Sequence, residues 1–351
     1  MQFLTNRNSA IRIFAFSTIV SLIVLYLVYV NLGWQAALVA LMLVVIELTF
    51  SFDNAIINAR ILGTMSYFWQ QMFMTIGILI AVFGMRVVFP VVIVMVSSGL
   101  GWNEVVDLAL NNPDRYADVL DDAHYAIASF GGMFLMMLTL HFFFDVTRTV
   151  NWLPRIEEPM KYVGRKWLHA VVCMVVLLFI TFLPINHHPQ DVFTAGLVGI
   201  ATYLIVHGMA ELMASRQAKS EKQTGKIMKR AGLAGFASFM YLEVLDASFS
   251  LDGVIGAFAV TKDVVLIAAG LGIGALWVRS LTLFMVRRET LHTYKYLEHA
   301  AHYVIGILAV TLLLGLFYDI PEAVAGLIGI GIVTASIASS NKARNAVSSS
   351  E

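Results

Sequence analysis

Ten stretches of this chain are apolar over close to the length of a bilayer-crossing helix, and that repetition leaves little choice of fold. They run approximately over 11–31, 34–58, 69–97, 124–145, 167–184, 191–213, 232–260, 263–286, 302–318 and 320–339. The last two are parted only by Asp319-Ile320-Pro321, so nine is the alternative count. A crossing helix needs about 20 mostly apolar residues, and hydrocarbon admits only elements whose backbone polar groups are satisfied internally. Composition agrees: 59% of the 351 residues are hydrophobic and only 13% charged, where soluble domains carry about a quarter charged. A large buried core explains an apolar excess but not a shortage of charge; lipid on the outside explains both. The expected fold class is an all-α polytopic membrane protein of about ten helices. The formal net charge is zero, so no basic excess points to nucleic acid. Cys173 stands alone, which excludes an internal disulfide and a thiolate metal site.

The first run, from about Ile11 to Val30, follows Arg7 and is longer than the usual core of a signal peptide. No small-x-small cleavage site follows it, so an uncleaved first span is expected. Lysine and arginine favour the cytoplasmic side of a membrane. With the N-terminus inside, 19 of the 23 basic residues fall on inner segments. Arg115 and Lys262 fall outside, and Arg86 and Arg279 lie within spans. Both termini are therefore expected in the cytoplasm, and an even span count is preferred.

Two segments repeat one another. Glu47-Leu-Thr-Phe-Ser-Phe-Asp53-Asn-Ala-Ile56 aligns with Asp246-Ala-Ser-Phe-Ser-Leu-Asp252-Gly-Val-Ile255 at a constant offset. His124-Tyr125 opens the fourth span as His302-Tyr303 opens the ninth, and Arg86 in span three answers Arg279 in span eight. Matching spans lie five apart, an odd number, so the second copy crosses in the opposite sense. The expectation is a 5+5 inverted-topology repeat, an arrangement common in secondary transporters. Its halves are 1–185 and 186–340, followed by a cytoplasmic tail at 341–351.

Charges placed in hydrocarbon are costly, so they pair or line a polar cavity. Spans two and seven carry Glu47, Asp53, Glu243, Asp246 and Asp252, and only Arg86 and Arg279 lie at comparable depth. Neutralising those arginines is expected to occupy at most two of the five acids, leaving a site for a cation near the midplane. At about 100° per residue, Glu47, Ser51 and Asn54 share a helical face while Asp53 points away. Glu243, Asp246 and Ser250 likewise share a face that excludes Asp252. Interrupting spans two and seven near Phe-Ser-x-Asp would turn both aspartates inward and free carbonyls for an ion. Gly253 and Gly256 ease such a break in span seven, and span two lacks them.

The candidate ligands Glu47, Ser51, Asp53, Asn54, Glu243, Asp246, Ser250 and Asp252 all offer oxygen, which suits hard cations such as Mg²⁺, Ca²⁺ and Mn²⁺. Arg86 and Arg279 are read as charge partners. His141/Asp145 and His207/Glu211 each place a histidine and an acid on one helical face. They form a candidate proton relay near the cytoplasmic ends of their spans. The outer loop 98–123 holds six acids against Arg115, and the inner loop 214–231 is basic. The 17 methionines scatter through apolar runs and read as packing.

The two acidic motifs, Glu47-x5-Asp53-Asn54 and Glu243-x2-Asp246-x5-Asp252, resemble the paired signatures of the TerC integral-membrane family, within a wider lysine-exporter-like superfamily. The resemblance covers spans two to four and seven to nine. It implies divalent-cation efflux, manganese above all, with tellurite resistance as an older association. It also implies Glu47, Asp53, Asn54, Glu243, Asp246 and Asp252 as ion ligands. The chain departs at Gly253, where the family often has serine, and at Ser51 and Ser250, where alanine is common.

No P-loop and no phosphorylated-aspartate motif is present, so a secondary, proton-coupled exporter of a divalent cation (Mn²⁺, with Mg²⁺ or Ca²⁺ as alternatives) is the leading expectation. A metal-binding scaffold linked to stress resistance and an amino-acid exporter are the competing readings. An intramembrane hydrolase with Asp53 and Asp252 as its dyad fits less well, because it leaves Glu47, Glu243 and Asp246 unused and lacks Gly-x-Gly-Asp. The chain is accordingly read as no enzyme, without a catalytic cofactor. Its expected partners are the lipid bilayer and the metal ion, with homo-oligomerisation left open. Its expected location is a bacterial inner membrane.

Overall fold

The computed structural model describes residues 10–165, 167–224, 229–318, 320 and 322–348. These are helical throughout, apart from short connections and a single backbone bridge between Met65 and Arg230. The polytopic helical fold class expected from the sequence is therefore found. Seven of the described helices are long and apolar enough to cross a membrane, or eight if a bent pair is one span. That is fewer than the ten expected, and the reasons lie in particular helices.

The first is α1 (Ala10–Phe50), 41 residues interrupted at Gly33, whose φ of 89° and ψ of 174° are not helical. At about 1.5 Å per residue it is about 60 Å long, twice the hydrocarbon thickness of about 30 Å. The left-handed φ suits glycine because a Cβ would collide with the backbone there. Both arms pack along a later helix, Val264–Arg287. In the first arm Ser17 bonds Ser280 at 2.5 Å, and Trp277 Nε1 donates to Ser21 Oγ at 2.9 Å. Val28 clusters further along with Ala40 and Leu266. In the second arm Leu43 packs on Gly270 and Glu47 on Gly274. The numbers fall along one arm and rise along the other, so α1 is a helical hairpin folded at Gly33.

After α1 come α2 (Phe52–Thr64), α3 (Tyr67–Leu79), a π-helical turn at Ile80–Val88 and α4 (Phe89–Ser98). The π turn was not foreseen. Its cause is Pro90, whose ring would strike the carbonyl four residues back in a regular helix. The widened turn lets Phe89 N–H reach the Gly84 carbonyl instead. The expected outer loop is two amphipathic helices, α5 (Trp102–Asn111) and α6 (Pro113–Asp122). Asp114 there meets Lys262 at 2.6 Å, so Arg115 is not the only cation serving this acidic stretch. The Asp114 carboxylate pushes the Lys262 ammonium above its ordinary value.

Next are α7 (His124–Phe143), α8 (Pro154–Val163) and α9 (Leu168–Thr181), the last two forming the bent pair at 100°. Then α10 (Pro189–Thr224) runs well into the expected basic loop. It is followed by α11 (Gly232–Val260), α12 (Val264–Arg287), the short α13 (Thr290–Thr293), α14 (Leu297–Gly315) and α15 (Glu322–Ser348). Helix α11 is long enough to cross but carries Glu243, Asp246 and Asp252, and it is not among the seven.

The chain forms two compact units interleaved along the sequence. The first takes residues up to His124 together with Met209–Arg288, and the second takes Tyr125–Gly208 together with residues from Glu289 onward. The first is built around α12, flanked by the α1 hairpin, α2, the π turn and α11. Phe73, Leu62, Met65, Phe239 and Leu242 close its core at one end.

The second unit holds a buried polar knot between the end of α7 and α14. Glu157 is fully buried; its carboxylate accepts from the backbone N–H groups of Trp152 and Leu153 and from Tyr303 Oη at 3.2 Å. It also lies 3.3 Å from Arg148, whose guanidinium stacks 4.7 Å over the Phe142 ring. Burial draws the Arg148 guanidinium below its ordinary value, and the Glu157 charge opposes that shift.

Candidate ion site

Two helix features bring the acidic motifs into position. At Ser51 the backbone adopts φ −101° and ψ 14°, between helix and turn, and separates α1 from α2. The expected interruption of span two is therefore present, as a shallow break: Ser51 N–H still donates to the Glu47 carbonyl at 2.9 Å. Span seven is not interrupted. Helix α11 runs unbroken through the second motif despite Gly253 and Gly256, which corrects the expectation of a break there. Gly253 leaves room instead. Glu47 Oε2 comes within 3.3 Å of where a Cβ on Gly253 would sit, so the first motif packs directly on the second.

Three carboxylates are held by the two arginines. Glu47 Oε1 lies 2.5 Å from Arg86 Nη2 and accepts from Ser51 Oγ at 3.0 Å. Arg279 takes two acids at once, donating to Glu243 Oε1 at 3.1 Å, Glu243 Oε2 at 3.0 Å and Asp246 Oδ2 at 2.7 Å. Its Nη1 also donates to the Phe73 carbonyl at 2.9 Å, and its guanidinium carbon lies 4.1 Å from the Phe73 ring centroid. All five of these charged side chains are buried. The sequence estimate of at most two neutralised acids is thus corrected to three. A guanidinium presents donors along two edges, and its fork geometry lets one arginine bridge two carboxylates.

The two motifs are joined by a hydrogen bond of 2.6 Å from Asn54 Nδ2 to Asp246 Oδ1. On the same helix as Asn54, other polar atoms are left over. Asp53 is buried, and its Oδ2 has no hydrogen-bond partner among the described residues; the same holds for Asn54 Oδ1. Asn58, fully buried one turn further along α2, has among the described residues a partner for neither its oxygen nor its nitrogen. Asn58 was not among the expected ligands, because asparagine in an apolar helix reads as incidental until its neighbours are known. The side chains of Ser250 and Asp252 lie outside the described residues. Among the described residues, no three His, Cys, Asp or Glu side chains converge closely enough to hold a metal ion.

The expected relay residues sit in the second unit, apart from Glu211, which lies four residues beyond His207 on α10 in the portion belonging to the first unit. His141 and His207 come together with ring centroids 4.4 Å apart, and His169 joins them 4.8 Å from His141. Tyr203 stacks on His207 at 5.2 Å. His169 was missed because nothing in its sequence spacing ties α9 to α7 and α10. Asp145 Oδ1 caps the turn after α7, accepting from Thr147 N–H at 2.9 Å. Glu211 is exposed.

Residues 52–346 match a family described as "Protein of unknown function (DUF475)". No curated protein and no solved structure matches the chain.

Proposed function

The chain belongs to the DUF475 family, and since that description assigns no activity, we propose from the site that it is a secondary transporter exporting a divalent cation. Mn²⁺ is the foremost candidate, with Mg²⁺ and Ca²⁺ as alternatives, and exchange is against protons. The observation that carries this reading is the junction of the two acidic motifs at Asn54 and Asp246, beside the unpartnered oxygens of Asp53 and Asn54. Buried polar atoms are ordinarily satisfied. Oxygen acceptors without donors, at bilayer depth, suit a hard cation as the missing partner. The arginines hold Glu47, Glu243 and Asp246 in place, so Asp53 and Asp252 are the carboxylates assigned to exchange metal for protons. Ser51 and Ser250 are assigned supporting contacts, and the TerC resemblance is part of the same proposal.

The 5+5 inverted repeat belongs to this reading. The α1 hairpin supports counting two spans within its 41 residues. The first compact unit draws one continuous piece from each half of the chain, as paired, symmetry-related spans would, whereas Tyr125–Gly208 of the second runs across the boundary between the halves. Alternating access then moves the site between the two membrane faces, with the termini in the cytoplasm of a bacterial inner membrane.

The test is metal flux into proteoliposomes carrying a divalent-sensitive dye, with Mn²⁺, Mg²⁺, Ca²⁺ and Zn²⁺ compared under a proton gradient. Asp53→Asn and Asp252→Asn are expected to insert normally and to lose flux. Wild-type flux in folded Asp252→Asn sinks the assignment. The extensive arginine pairing favours one second reading, a scaffold in which the buried charges only hold helices together. That reading requires the absence of flux for every metal from well-folded protein.

A further inference from the structure

The carboxylates held by arginine leave the question of which atoms contact the ion. On α2, Asn54 and Asn58 are spaced i, i+4, which places both side chains on one face about 40° apart. Two ligands at that spacing can reach a single metal ion, as paired histidines do on one helix turn. The Asn54 amide is not free to rotate in chemical terms. Its nitrogen faces Asp246 Oδ1 at 2.6 Å, and the flipped amide would set oxygen against carboxylate oxygen at that distance. Asn54 Oδ1 is therefore directed away from Asp246. Asn58, with 0% exposure, supplies a second oxygen without a donor among the described residues. An apolar side chain in its place would leave folding no worse, since no hydrogen bond within the described chain would be lost. Asp53 does not belong to this pair, because it points about 100° from Asn54 and about 140° from Asn58 on a regular helix.

Resting on the transport reading above, we propose that Asn54 Oδ1 and Asn58 Oδ1 form a neutral, two-oxygen station for the transported divalent cation, reaching one turn along α2 from the acidic junction at Asn54. Amide oxygens are good ligands for hard cations. Being uncharged, they hold the ion less firmly than carboxylates and let it leave, which conduction requires. The station thus receives the ion from the carboxylates and passes it toward the Thr64 end of α2.

The experiment compares wild type, Asn58→Leu and Asn58→Asp in two assays: Mn²⁺-induced shift of the melting temperature in detergent, and Mn²⁺ flux in proteoliposomes. Asn58→Leu is expected to melt at or above the wild-type temperature without metal, to lose most of the Mn²⁺-induced shift, and to fall at least tenfold in flux. Asn58→Asp is expected to bind Mn²⁺ more tightly, by about tenfold, and to release it more slowly. Wild-type flux and shift in Asn58→Leu overturn the station and leave the transporter standing. A metal-free Asn58→Leu that melts well below wild type shows that the amide already had a partner, and Asn58→Asp with unchanged Mn²⁺ affinity shows that it is no ligand; either overturns the station. A wild type that neither binds nor moves any divalent cation removes the transport reading and the station with it.

Discussion

Asn54 and Asp246, 192 positions apart in the chain, share a buried hydrogen bond of 2.6 Å inside the first unit. This one contact ties the two copies of the acidic motif, and it orients both groups. Asp246 is held on its other oxygen by Arg279 at 2.7 Å, so Asn54 is positioned against a carboxylate that cannot swing away.

Asn54→Leu should lower stability by about 1–3 kcal/mol, the usual cost of leaving a buried acceptor without its donor. Thermal denaturation in detergent measures it. A melting temperature equal to wild type would mean the bond contributes nothing to folding. The same variant should lose metal flux, since it removes an oxygen at the site as well as the donor.

Among the described residues, Arg279 is the guanidinium that serves both Glu243 and Asp246. Arg279→Met leaves two buried carboxylates uncompensated and is expected to cost about 3–5 kcal/mol, the typical penalty for breaking a buried pair from one side. The triple variant Arg279→Met, Glu243→Gln, Asp246→Asn should recover most of that stability, because no charge is stranded, yet remain inactive in flux. Failure of the triple variant to recover would show that the pairing is not what Arg279 contributes.

Gly77 faces the same ion pair: a Cβ there would overlap Arg279 Nη1 and Glu243 Oε1. Gly77→Ala should therefore displace the pair, lower the melting temperature and abolish flux. Gly63 is the control, since a Cβ there meets nothing within 4 Å. Gly63→Ala should leave flux intact and raise helix stability by up to about 1 kcal/mol. Equal effects at the two positions would contradict the packing described.

In the second unit, Glu157→Gln removes the charge that faces Arg148 while keeping the shape of the side chain. Arg148 then loses its nearest counter-ion and keeps the weaker attraction of Asp145, and a loss of about 3 kcal/mol is expected. The connection between α7 and α8 should become a target for trypsin at Arg148 and Arg155. Cleavage kinetics in detergent, compared with wild type, provide the readout; unchanged protection would show that the connection is held by other contacts.

Much of this was legible in the residues. Apolar length and scarce charge dictate a helical membrane protein, because hydrocarbon tolerates no unpaired backbone. Internal repetition singles out Glu47, Asp53, Asn54, Asp246 and Asp252 with their two arginines. The break at Ser51 could be anticipated from the facing problem at Asp53. Other features are decided by packing between segments that are distant in sequence. Glu243 and Asp246 share a face of α11 by their spacing, but that Arg279 of α12 takes both, with the Phe73 carbonyl of α3 as a further acceptor, depends on three helices meeting. Helix α11 stays intact through Gly253 because Glu47 of another helix comes close to that position, so the small residue serves contact and not unwinding. His169 and Asn58 look ordinary in the chain and gain significance only through their neighbours. The sequence by itself determined which residues must be in the membrane and which charges must be neutralised there, since those follow from transfer into hydrocarbon. Only the tertiary structure decided which partner neutralises which charge and which oxygens remain for an ion, since each of these depends on the distance between side chains from separate helices.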